Sequence, residues 1–163
     1  MLRVQITLED RRWSRVIGVP RIRTMARELF QLVQELLGYD MGRAASIELS
    51  LLLTNDDGIR ILNRDHRALD SPTNVLSFPT YERELPKYLK QEKYLSLGDL
   101  VLSLDSIGRE ATDQNKLFSQ HLAHLILHGI LHLLGFNHQE EEDAELMEST
   151  EALLLERFGE SRT

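Results

Sequence analysis

Histidines at 128, 132 and 138, with a glycine at 135, leave this chain little freedom over that stretch. A helix turns about 100° per residue, so His128 and His132 lie about 40° apart on one face, one turn above the other. His138 joins them only if the helix stops. Six more helical residues would swing it about 120° off that face and carry it about 9 Å along the axis. Gly135 is placed to stop the helix, because glycine adopts the left-handed conformation that ends helices at little steric cost. The chain then turns back and brings the third imidazole to the first two.

Three imidazoles that converge in this way point to one bound metal ion, at the usual zinc–nitrogen distance of about 2.0–2.1 Å. Three protein ligands leave a fourth position for water, which is the catalytic arrangement; structural zinc sites are closed by four ligands. An all-imidazole set suits zinc best and also admits nickel, copper or iron. Such an ion acts as a Lewis acid and lowers the pKa of a bound water from about 15.7 toward 7. A metal-dependent hydrolase is therefore the leading reading. Zinc peptidases with this spacing carry glutamate directly after the first histidine as general base. Here that position is Gly129, which argues against ordinary peptide hydrolysis. His121 and His124 fall on the same face, within about 80° of His132 around the helix. His124 is expected to support or pack against the site, and His121 to face solvent.

The run from His128 to His138 resembles the signature of the YbeY-type endoribonucleases, H-G-x-L-H-L-x-G-[YF]-[DN]-H, at every fixed position. Arg67 followed by Ser71-Pro72-Thr73-Asn74-Val75-Leu76-Ser77-Phe78-Pro79 is similar to the family's R…PT(N/D)VLSFP block, and Leu97-Gly98-Asp99-Leu100-Val101-Leu102-Ser103 to its LGDIVIS strand. The blocks stand in the family's order over residues 67–138. The resemblance implies a single-strand-specific endoribonuclease acting in 16S rRNA 3′-end maturation and ribosome quality control. It implies one zinc ion per chain held by His128, His132 and His138, and Arg67 as the catalytic basic residue. Implied partners are single-stranded RNA, rRNA, and the small ribosomal subunit with its proteins; no DNA and no membrane is expected. A guanidinium suits the substrate, because it can donate two parallel hydrogen bonds to a phosphate. Whether a metal-activated water or the RNA 2′-hydroxyl attacks stays open. Asn74 and Ser77 are candidates for RNA contact or for turn and strand roles, and Asp99 for ending a strand. Two other classes compete: a zinc metallopeptidase-like hydrolase, and a non-catalytic ribosome-assembly factor with a structural metal. The latter needs a fourth protein ligand, such as His124, Glu141 or Asp143.

Charge bears on the RNA reading. The formal net charge is −7, the wrong sign for a phosphate-binding surface, but its distribution matters more than its sum. Residues 138–163 hold nine acidic and two basic residues, so the rest of the chain is neutral; the first 43 residues carry eight arginines against five acids. Phosphate attraction needs a local basic patch. Arg11, Arg12, Arg15, Arg21 and Arg23 either form one or are scattered. The absence of cysteine excludes disulfides and thiolate metal sites. Charges interrupt the N-terminus before an apolar core forms, so no signal peptide is expected. No run of about 18 apolar residues exists to span a membrane, and a cytoplasmic location is expected.

The 163 residues suit one domain, taken as a single metal-dependent endoribonuclease domain over 1–163. Alternation predicts a strand over 2–8. Pro20 opens a helix that Gly38 ends. A second strand runs over 46–53, and Asn55 caps the next helix with Asp56 and Asp57 near its positive end. Strands follow at 74–78 and 97–103, with a polar loop over 80–94 between them. A helix follows from Asp105 or Ser106. Ser119 caps the metal-site helix, which ends at Leu134, and the last helix spans 140–158. The expected fold is α+β: a four-stranded mixed sheet with one antiparallel edge strand, about five helices, and the metal site on a central helix.

Overall fold

The computed structural model describes residues 2–38, 46–81, 94–136 and 141–160. Four strands form one sheet: β1 (Leu2–Leu8), β2 (Ser46–Thr54), β3 (Val75–Pro79) and β4 (Tyr94–Ser103). Their spatial order is β1-β2-β4-β3. β1 pairs with β2 and β2 with β4 in parallel, while β3 runs antiparallel along the outer side of β4. The parallel pairs follow from the helical crossovers that separate those strands in the chain. The expected α+β fold with a mixed sheet and one antiparallel edge strand is what the chain adopts.

Six helices are described: α1 (Arg12–Val16), α2 (Val19–Leu37), α3 (Asp56–Arg67), α4 (Leu104–Asp113), α5 (Phe118–Leu133) and α6 (Glu141–Glu160). Sequence patterning missed α1. It has five residues and a single buried side chain, Trp13, too little for a helical period to emerge. Trp13 is nonetheless completely buried, and its indole N–H donates to the Thr54 carbonyl at 2.8 Å, tying α1 to the end of β2.

The sheet separates two apolar layers. Leu49, Leu51 and Leu53 of β2 and Leu100 and Leu102 of β4 join the main core with α2, α5 and α6. Val101 and Leu76 point the other way and pack with Ile59 of α3. β4 holds an irregularity that serves this division. Its leucines stand at 95, 97, 100 and 102, a spacing that strict alternation would split between faces. The register with β2 slips between Glu48/Leu49, so that Glu48 faces Ser96 and Leu49 faces Gly98. The extra residue returns all four leucines to the main core. Gly98 supplies the turn with φ of +129°, a conformation open chiefly to glycine. Because of this bulge β4 begins at Tyr94, three residues before the strand that alternation predicts; the rest of the expected 80–94 loop, residues 82–93, lies outside the described residues.

Local signals set most helix ends. Asn55 caps α3, its Oδ1 accepting from the Gly58 amide at 2.9 Å. Gly38 closes α2 in the left-handed region at φ +66°. The metal-site helix departs from expectation at its start. It begins at Phe118, and its first-turn contact is the Gln120 side chain accepting from the Leu117 amide at 3.1 Å, in place of a Ser119 cap.

Asp56 joins two helix starts. Its carboxylate accepts from the Ser103 and Ser106 hydroxyls, each at 2.6 Å, and from Arg109 at 2.7 Å. Burial pushes this carboxyl up, but the hydrogen bonds from Ser103, Ser106 and Arg109 and the arginine's charge together hold it below its usual value of 3.8. A depressed carboxyl contributes stability that is present above its ordinary pKa and is lost as pH falls through the folded value. Asp56→Asn is expected to cost about 1.5–3 kcal/mol at pH 7, the range for hydrogen bonds to a charged group. The cost shrinks below pH 3.8. Urea midpoints at pH 7 and pH 3 check this, and an equal cost at both would contradict it.

Candidate metal centre

Helix α5 is buried from His121 to Leu134 except at three positions, His124, His128 and His132, which are half-buried. They recur every four residues and so form one stripe. His128 and His132 stand with ring centroids 4.6 Å apart, and their Nε2 atoms lie 3.0 Å from each other. Two imidazole nitrogens bound to one tetrahedral ion at about 2.0–2.1 Å would sit about 3.3 Å apart. The donor pair therefore matches a divalent cation to within a few tenths of an ångström. His138, the third expected ligand, lies outside the described residues, and among the described residues no cluster of three or more metal-capable side chains forms.

The helix stops where Gly135 requires. Gly135 has φ of +104°. Its amide donates to the His132 carbonyl and the Phe136 amide to the Leu131 carbonyl, both at 3.0 Å. This is the paired bonding of a left-handed C-terminal cap. It turns the chain two residues after the end of α5.

Behind the imidazoles stands a residue that sequence reading passed over. Glu151 of α6 contacts His128 Nδ1 through one carboxylate oxygen and His124 Nε2 through the other, the latter at 3.3 Å. Glu151 is only 8% exposed. Burial pushes its carboxyl up, but the hydrogen bonds and charges of His124 and His128 outweigh this and hold it at about 2. It is therefore an anion at neutral pH. Its only trace in the sequence is an acid on an apolar stripe, since Met147, Thr150, Leu154 and Phe158 are the other buried residues of that face.

A cavity of about 400 Å³ opens beside the stripe, lined among others by Asn74, Glu110, His121, His124, His128 and Glu151. His121 does not face solvent as expected. It is 3% exposed, and its Nε2 pairs with Glu110 at 2.8 Å, because α4 packs across this part of α5. Asn74 belongs to the same chain of contacts. Its amide donates to Glu110 at 3.0 Å and its Oδ1 accepts from the Val75 amide at 2.6 Å, which fixes the start of β3. Ser77 pairs with Leu100 in register, on the side of the sheet that α5 covers. Asp99 is exposed and pairs with Phe78, with side-chain alternation placing it on the α3 side.

Arg67 is exposed as the last residue of α3. The neighbouring His66 ring lies 5.1 Å from that of Phe78 at the end of β3. The end of α5 reaches the same corner, because Leu133 borders Gly98 together with the Phe78 carbonyl.

Gly129 has a structural reason independent of chemistry. A Cβ there would meet the Leu100 side chain at 2.6 Å. The position that holds a peptidase's base is pressed against the sheet in this chain. The N-terminal arginines divide. Arg12 pairs with Asp10 and Asp105. Arg23 and Arg27 reach over carbonyls of the edge strand β1. Arg21 lines a second cavity with Lys116.

An α+β sheet with a carboxylate-backed imidazole pair on the helix behind its edge strand defines a class of candidate metal proteins. A model of the family described as Endoribonuclease YbeY matches residues 7–159, and the chain belongs to that family. An Endoribonuclease YbeY of Azorhizobium caulinodans is 37% identical over 158 residues, covering 97% of this chain and 93% of that protein. One from Nitrobacter winogradskyi is 46% identical over 112 residues, covering 69% of this chain; the match spans 58% of that longer protein. The solution structure of TM1509 from Thermotoga maritima shares the fold, with a TM-score of 0.60 at 24% identity over 98% of this chain and 92% of that one. Among the described residues no helix is long and apolar enough to cross a membrane.

Proposed function

We propose that this chain is a zinc-dependent endoribonuclease that cuts single-stranded RNA, with His128, His132 and His138 as the metal ligands and Arg67 as the residue that meets the scissile phosphate. The observation that carries the reading is the imidazole pair with Nε2 atoms 3.0 Å apart, in a chain of the endoribonuclease YbeY family. When bound, the ion supplies Lewis acidity to a phosphate oxygen and lowers the pKa of a water at its open position. The residues of the chain do the rest. Arg67 donates hydrogen bonds to the non-bridging oxygens as charge builds on them. The packing of α5 on the sheet holds the two imidazoles on one line. The peptidase alternative loses its base, since Gly129 packs on Leu100.

The biological setting follows the family: maturation of the 3′ end of 16S rRNA and ribosome quality control, with the small subunit and its proteins as partners, one zinc per chain, over the single domain 1–163. The test is to measure metal content in the purified protein and then cleavage of structured and single-stranded rRNA fragments, with and without chelator. Cleavage confined to single strands and abolished by chelator is expected. Arg67→Ala is expected to keep fold and zinc while losing about 10²–10³ in rate, the usual cost of one transition-state donor. Full activity in that variant would remove Arg67 from the mechanism.

A further inference from the structure

We propose that Glu151 is a positioning residue of the metal centre: it sets which nitrogen of His128 carries the proton and keeps His124 out of the ligand set. This rests on the reading of His128 as a metal ligand given above. A buried carboxylate is costly unless its oxygens are satisfied, and here both are taken by imidazoles of one neighbouring helix. A carboxylate only accepts hydrogen bonds, so each imidazole must present an N–H to it. On His128 that proton sits on Nδ1. Nε2 then carries a lone pair in place of a proton, on the side where His132 Nε2 lies 3.0 Å away. On His124 the bond runs through Nε2, so the nitrogen at the tip of that ring is occupied by the carboxylate.

The same acid thus has opposite effects on two histidines one turn apart. It readies one as a donor to a cation and withdraws the other. A carboxylate on the far nitrogen of a ligand imidazole orients the ring and raises its basicity, and losing such a partner typically weakens metal binding by about 10–100-fold. The consequence for the fold is that α6, the most acidic part of the chain, is part of the metal centre. Its acidity at position 151 is a requirement of the site.

The test compares Glu151→Gln and Glu151→Ala with Glu148→Gln, a change on the same helix at an exposed acid that borders the same cavity. Zinc affinity is measured by competition with a chromophoric chelator, and the ring-nitrogen shifts of His128 by NMR on the metal-free proteins. Circular dichroism melts show that each variant is folded. Both Glu151 variants are expected to bind zinc about 10–100-fold more weakly, and Glu148→Gln to bind as the native protein does. The Nδ1–H tautomer of His128 is expected in the native protein and in Glu148→Gln, and to give way to the Nε2–H form in Glu151→Ala. Native affinity and an unchanged tautomer in folded Glu151→Ala would overturn the proposal. So would an equal loss in Glu148→Gln, because general negative potential would then explain it. Should the native protein take up no zinc, the metal reading fails instead, and the tautomer alone decides the role of Glu151.

Discussion

Gly98→Ala is expected to destabilise the protein by about 3–5 kcal/mol, a large part of the roughly 5–15 kcal/mol that holds a typical domain together. Two costs add. The backbone at 98 has φ of +129°, a region that costs a residue with a side chain about 1–3 kcal/mol. The new Cβ would also lie 2.2 Å from the Phe78 carbonyl oxygen, 3.0 Å from Pro79 Cα and 3.1 Å from a Leu133 methyl. Two of those three are backbone atoms of the paired strand, so relief requires β3 to move, and overpacking of this kind costs about 1–3 kcal/mol more. Gly108→Ala is the control. It lies within α4 with no atom near enough to meet a Cβ, and alanine there is expected to stabilise by up to about 1 kcal/mol. Urea denaturation of both variants decides the matter. A Gly98→Ala protein within 0.5 kcal/mol or so of native stability, the usual range for a neutral surface change, would contradict the strain argument.

His132→Ala has the second large effect, and on a different quantity. The native protein is expected to hold one zinc per chain, and the variant essentially none after dialysis. Cleavage of single-stranded RNA is expected to fall by at least about a hundredfold, since Lewis acidity and water activation leave with the ion. The fold should survive, because His132 is half-buried and the substitution leaves the buried apolar residues of α5 in place. Thermal melts of the metal-free native and variant proteins should therefore differ little, whereas the zinc-loaded native protein should melt higher than either, as binding only to the folded state requires. Undiminished zinc in His132→Ala would remove it from the ligand set and with it the geometric basis for the proposed activity.

The two variants act on different levels of the molecule. Gly98 determines whether β3 and β4 lie close enough for α5 to pack behind them, while His132 acts on what α5 carries. Leu133 connects the levels: it follows His132 and borders Gly98. A shift of the strand pair would therefore reach the imidazoles through one residue.

Some of this is legible in residue order, because it depends on neighbours within one turn. Asn55 caps α3 with its own side chain, Gly38 closes α2, and Gly135 ends α5 in the left-handed region after two histidines spaced by one turn. Helices between β1 and β2 and between β2 and β4 carry the chain back for parallel pairing, while β3 pairs antiparallel at the edge. Other features needed partners far away in the chain. Alternation alone cuts β4 short at Leu97, because the bulge that realigns its leucines makes sense only against β2. His121 reads as a surface residue until α4 is laid across it and Glu110 reaches its ring. Trp13 is a lone aromatic among arginines until Thr54 accepts its N–H. Glu151 is one acid among nine in the last 26 residues until α6 packs beside α5 and brings it to His128 across 23 positions of chain. Short-range hydrogen bonding and helical period act through adjacent residues, so they are written in the order of the chain. The setting of a proton on one imidazole nitrogen, and the choice of which histidine is withdrawn, depend on a buried charge supplied by another element, and only packing brings that charge into place.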